Sequence, residues 1–168
     1  MASVDDVAWL DEREERAWRA LQLMQMRLDG ELARQLAAES GLSYSDYVVL
    51  VALTDRPDGR MRLFELARVL GWEKSRVSHH IARMADRGLV KKQKCDSDRR
   101  GAFVLVMNRG RKELEAAAPG HVAAVRRLFV DLLTQDELDA VGAAAEVVLT
   151  ALDGSSDDAT TASTTSAG

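Results

Sequence analysis

Between Leu63 and Met107 the chain changes its hydrophobic rhythm twice, and few folds accommodate that succession. Leu63, Leu66, Ala67 and Leu70 recur at i, i+3, i+4 and i+7, the stripe of a short amphipathic helix that Gly71 stops. Trp72-Glu73-Lys74 leads into a second stripe, Val77, Ile81 and Met84, closed by Gly88. Two extended runs follow, Leu89–Lys94 and Ala102–Met107, around the polar loop Cys95-Asp96-Ser97-Asp98-Arg99-Arg100-Gly101. A glycine-terminated polar loop between two such runs reads as a β-hairpin.

The flanks are helical. Residues 9–38 read as one long helix with an acidic start and a stripe of Trp18, Leu21, Met24, Leu28, Leu32 and Leu36. A second helix opens at Ser43, with Asp46 completing a capping box, and ends before the turn Arg56-Pro57-Asp58-Gly59. Asn108 is expected to cap a helix over 109–133 that Pro119-Gly120 kinks. Thr134-Gln135-Asp136-Glu137 opens the last helix, whose stripe is Leu138, Val141, Ala145, Val148 and Leu152. Residues 153–168 offer nothing to pack and are expected to be a disordered tail. The order helix, helix, turn, helix, hairpin over 43–108 is that of a winged helix-turn-helix. The fold class is therefore mainly α with a small β-hairpin.

Composition removes other classes. With 168 residues, 46% hydrophobic, the chain is one domain or one domain with an appendage, and it can bury a core. No run is long and apolar enough to span a membrane, so no membrane partner is expected. The acidic start, Asp5-Asp6, is unlike an export signal, and Cys95 is the single cysteine, so a reducing, cytoplasmic setting is expected. The net charge of −4 hides a segregation: residues 57–110 hold 13 Lys+Arg against 6 Asp+Glu, or +7, which leaves −11 elsewhere. A basic block in an acidic chain is the electrostatic footprint of phosphate binding.

The helix of that block has two faces. With Val77 at zero on a wheel of 100° per residue, Ile81 and Met84 fall within about 40°, whereas Ser75, Arg76, His79 and Arg83 fall between about 160° and 260°. One face is aliphatic; the other carries hydroxyl, imidazole and guanidinium groups whose reach suits base edges and phosphates. Arg99 and Arg100 at a hairpin tip suit a minor groove, with Asp98 orienting one of them. His79, His80 and His121 have no carboxylate spacing that would hold a metal, and no nucleophile has a partner set. No catalytic residue, metal or cofactor is expected, and the chain does not read as an enzyme.

The residues Leu66-Ala67-Arg68-Val69-Leu70-Gly71, Lys74-Ser75-Arg76-Val77-Ser78-His79-His80-Ile81, Arg87-Gly88-Leu89-Val90 and Asp98-Arg99-Arg100-Gly101-Ala102-Phe103-Val104 together resemble the MarR family of bacterial transcription regulators. The sequence departs from the family pattern at Cys95, where an acidic residue is usual, and at Asn108, where a threonine is usual. The resemblance implies a homodimer, usually a repressor, that binds a palindromic operator in double-stranded DNA and is released by a small aromatic effector. It implies that Lys74, Ser75, Arg76, Ser78, His79 and Arg83 lie on the recognition helix and Asp98, Arg99 and Arg100 on the wing. Residues 1–42 and 109–152 would be dimerisation segments around the DNA-binding domain 43–108. Trp18, Met24, Met26, Tyr44 and Tyr47 are the candidates for an effector pocket. Two other readings stand beside this one: a winged helix that contacts only protein, and a regulator switched by oxidation at Cys95.

Overall fold

The first helix, α1 (Glu12–Glu39), opens as its acidic start implies: Asp11 Oδ1 accepts the Glu14 N–H at 2.8 Å and Glu14 Oε2 accepts the Asp11 N–H at 2.9 Å. The structure is a computed structural model and describes residues 7–94 and 102–162. Two compact units divide at Ala124/Val125. In the first unit α1 turns only its end inward, burying Leu32 and Leu36, while Trp18, Leu21 and Met24 are exposed.

Helix α2 (Tyr44–Thr54) starts at the expected box, Ser43 Oγ accepting the Asp46 N–H at 3.1 Å and Asp46 Oδ2 accepting the Ser43 N–H at 2.9 Å. It is apolar around most of its girth, and Val49, Leu50 and Leu53 sit fully buried at the centre of the core. Helices α3 (Leu63–Leu70) and α4 (Lys74–Asp86) pack against it. Between them Gly71 adopts φ 61°, a left-handed conformation that a side chain would strain, and so turns the chain sharply. Val77, Ile81 and Met84 reach zero exposure against this core. Each such side chain contributes roughly 1.5–3 kcal/mol of transfer free energy.

The hairpin has a third member. Strands β2 (Val90–Lys94) and β3 (Ala102–Val106) pair antiparallel, and β1 (Arg60–Arg62) pairs antiparallel with the other edge of β3. Sheet order is thus β1-β3-β2, with Arg60 opposite Leu105 and Arg62 opposite Phe103. The winged helix-turn-helix expected from the hydrophobic pattern is present, with its sheet wider by one strand.

Helix α5 (Asn108–Leu128) begins at Asn108 itself, where the Arg111 N–H bonds the Met107 carbonyl. It carries Pro119 within it and stops short of 133, because Phe129 at φ −142° leaves the helical region ahead of a 3-10 turn at Val130–Leu132. Gly110 lies where α5 passes the link between α4 and β2 and the side of α2, and a Cβ there would meet the Leu89 carbonyl and Leu50. In the second unit α6 (Gln135–Ala162) starts at the expected box: Thr134 N–H donates to Glu137 Oε2 at 2.8 Å. It continues past 152, where the apolar stripe ends, into residues expected to be a disordered tail. Its residues Val141, Val148 and Leu152 are exposed. Residues 163–168 lie outside the described part of the chain. Among the described residues no helix is long and apolar enough to cross a membrane.

Candidate nucleic-acid interface

Burial of Val77, Ile81 and Met84 dictates what α4 shows on its other side. Lys74, Ser75, Arg76, His79 and Arg83 are exposed and Ser78 is half-buried. The two faces separate as the helical wheel requires. Lys91, Lys92 and Lys94 of β2 are exposed as well. The wing residues Asp98, Arg99 and Arg100, and Cys95, lie outside the described residues.

Strand β1 brings two further cations to the sheet. Arg60 and Arg62 hold their guanidinium carbons 5.0 Å and 5.1 Å from the centre of the Phe103 ring, cation–π distances that follow from the β1/β3 register. Sequence reading passed over both arginines because a three-residue strand shows no period.

Beneath the exposed face lies a polar network. Asp46, 2% exposed, accepts Arg87 Nη1 at 2.6 Å and lies 3.1 Å from His80 Nε2. Arg87 Nη2 donates to the Gly41 carbonyl at 2.6 Å, so one guanidinium ties the end of α4 to the start of α2 and to the α1–α2 joint. Arg83 Nη2 lies 3.1 Å from His80 Nδ1. Arginine has only protons to offer, so Nδ1 accepts and the ring proton belongs on Nε2, the nitrogen on the Asp46 side. Burial by itself would raise the Asp46 carboxyl; the hydrogen bonds from His80, Arg87 and Ser43 outweigh it and hold the group well below the usual carboxylate range. Sequence reading took Asp46 for a helix cap and missed this second role. The signal for His80 was available: the same wheel puts it roughly 60° from Val77, on the flank of the buried face.

Two ring contacts connect the network to the surface. Trp72 meets His80 edge-on, centroids 5.5 Å apart at 88°, and the Arg76 guanidinium carbon lies 4.2 Å from the centre of the Trp72 ring.

A separate cavity of about 260 Å³ is lined by α2, the end of α3 and His121 of α5. Tyr44 and Tyr47, two of the five expected pocket residues, line it, and the His121 and Tyr47 ring centroids are 4.3 Å apart. His121 Nδ1 is buried without a hydrogen-bond partner among the described residues, and burial lowers the pKa of its ring. Burial raises both tyrosines, Tyr44 further through Asp29. Trp18, Met24 and Met26 are not among the lining residues; they are exposed along α1, ahead of the stretch that turns inward. His121 entered the sequence reading only as a metal candidate. Among the described residues no cluster of His, Cys, Asp and Glu is arranged to hold a metal ion.

The MarR-family model matches residues 40–101. AbsC, a MarR family transcriptional regulator from Streptomyces coelicolor, is 37% identical over 88% of this chain and 99% of its own, with a TM-score of 0.80. Sco3205, a MarR family transcriptional regulator from the same organism solved in complex with DNA, is 35% identical over 86% of this chain and 90% of its own, also at 0.80. CouR from Rhodococcus jostii RHA1, solved bound to p-coumaroyl-CoA, shares the fold at 22% identity, a TM-score of 0.68 and coverage of 77% and 89%. Among curated proteins none matches the chain. The identity to AbsC and Sco3205 over nearly their whole length, on a winged helix with a basic outer face, places this chain in the MarR family of transcriptional regulators.

Proposed function

We propose that the protein represses transcription by binding a palindromic operator in double-stranded DNA as a homodimer, in the cytoplasm, and that a small aromatic effector releases it. The observation that carries this reading is the two-sided α4, aliphatic against the core and basic toward solvent. Lys74, Ser75, Arg76, Ser78, His79 and Arg83 would enter a major groove, with Arg76 and Arg83 able to bridge guanine O6 and N7. Asp98, Arg99 and Arg100 would take the adjacent minor groove. The DNA in the Sco3205 complex supports the same partner here.

A dimer is supported by apolar side chains left uncovered. Trp18 on α1 is 52% exposed, and Val148 and Leu152 on α6 are 58% and 60% exposed. A second copy covering such stripes would set two recognition helices about 34–36 Å apart, one turn of duplex. The cavity at Tyr44, Tyr47 and His121 is apolar, with one unsatisfied imidazole nitrogen, which suits a planar aromatic group carrying a hydrogen-bonding substituent. The p-coumaroyl-CoA in CouR supports that class of effector. An effector that fits a different spacing of the recognition helices better would shift the population away from the DNA-bound form.

The test is selection of bound fragments from the organism's own genome, followed by affinity on the selected and random duplexes over a salt series. A selected palindrome, bound at least ~1,000-fold tighter than random DNA with a steep salt slope, is the expected result. Equal, weak binding to every duplex would favour a winged helix that contacts only protein.

A further inference from the structure

The exposed face of α4 is joined to the interior by an unbroken series of side chains. Asp46 in α2 lies 3.1 Å from His80 Nε2, and Arg83 Nη2 lies 3.1 Å from His80 Nδ1, so the imidazole has a charged neighbour at each nitrogen. The imidazole meets the Trp72 ring edge-on, their centroids 5.5 Å apart at 88°. Trp72, half-buried in the turn before α4, presents its face to Arg76, whose guanidinium carbon lies over the ring, 4.2 Å from its centre.

An arginine on an exposed helix face samples many rotamers, and all but one must be frozen when it grips a base edge. A guanidinium already stacked on a fixed ring has lost most of that freedom beforehand. Stacking also leaves the edge of the guanidinium, which carries its N–H groups, open to an acceptor pair such as guanine O6 and N7. We propose that Trp72 is a specificity-determining positioning residue: it holds Arg76 in the orientation that reads a guanine, and His80 and Asp46 hold Trp72. This rests on the reading of α4 as the DNA-reading helix.

The proposal predicts a coupling that a merely structural tryptophan would not show. On the selected operator, Trp72→Leu should weaken binding about tenfold and change affinity for random duplex less than about twofold. Trp72→Phe, which keeps a ring, should stay within about threefold of wild type. In the Arg76→Ala protein, adding Trp72→Leu should cost nothing more. Independent, multiplicative losses would overturn the role of Trp72, as would equal losses on operator and random DNA. So would tighter binding by Trp72→Leu, which would mean that the stack parks the arginine away from DNA. A second arm needs no DNA and no Trp72 variant. In a Trp9→Phe/Trp18→Phe protein, Trp72 is the sole tryptophan, and Arg76→Ala should shift its emission to the red; an unmoved spectrum overturns the stack. If the wild type selects no operator, the DNA-reading function itself falls, and this role with it.

Discussion

Arg87 and Asp46, 41 residues apart, meet at 2.6 Å, and the meeting closes the C-terminal end of α4 onto the N-terminal end of α2. The carboxylate is buried, whereas the Arg87 side chain is 42% exposed, so the two partners are not equivalent. Removing the carboxylate strands His80 and Arg87 and leaves the Ser43 N–H without its cap. Asp46→Ala should lower unfolding stability by about 2–3 kcal/mol, less than for a fully enclosed pair because Arg87 can turn to water. Urea denaturation of both proteins at one fixed concentration measures it. A loss under ~1 kcal/mol would mean that the network does not hold α4.

The same carboxylate sets a pH dependence. Its pKa in the folded protein lies below that of the unfolded chain, near 3.9 for aspartate. Its contribution is therefore fully present above the unfolded value and is lost as pH falls through the folded one. Between about pH 5 and pH 2 stability should drop, and Asp46→Asn should flatten that drop. Parallel curves for the two proteins would assign acid sensitivity to other carboxylates.

The wing arginines bear on counterion release. Arg99→Ala/Arg100→Ala should reduce the slope of log K against log salt by about 0.9 for each phosphate the protein no longer neutralises. Fluorescence anisotropy on a labelled operator between low and moderate salt reads the slope directly. An unchanged slope would put both arginines away from the phosphates.

Val148 tests the dimer. Val148→Asp would place a charge in the apolar stripe of α6 and should yield monomers, or unfolded chains if the monomer cannot stand alone. Operator affinity should fall in step, because a palindrome needs two recognition helices. Sedimentation of the wild type as a monomer at micromolar concentration, with operator affinity intact, would contradict the homodimer.

Gly110 tests the packing of α5. A methyl group there meets the Leu89 carbonyl, a backbone atom that cannot swing aside, as well as Leu50. Gly110→Ala should therefore destabilise by about 1–3 kcal/mol even though alanine is the better helix former. Thermal unfolding checks it, and a gain in stability would show that the crossing relaxes.

Much of this architecture was legible because its signals are local. The stripes Leu63–Leu70 and Val77–Met84, the glycines that end them and the boxes at Ser43 and Thr134 each involve residues within two turns of one another. The outer face of α4 followed from the same periodicity. What escaped was short or distant. β1 is three residues long and exists because β3 offers an edge to it. Asp46 announced its capping role, but its pairing with Arg87 depends on how α2 and α4 cross. The same holds for Trp72, which read as a lead-in to a helix and proved to lie under an arginine. Tyr44 and Tyr47, two of the five pocket candidates, line one cavity, whereas His121, brought to them by α5, was read only as a metal candidate.

The grip of Arg87 on the Gly41 carbonyl has a mechanical side. Gly41 lies just beyond α1, a rod of 28 residues and hence about 42 Å. A rod of that length hinged at one end sweeps its far tip through roughly 4 Å for each 5° of tilt. On that geometry a few ångströms of travel at the Asp11 end would amount to only a few degrees where Arg87 holds the Gly41 carbonyl.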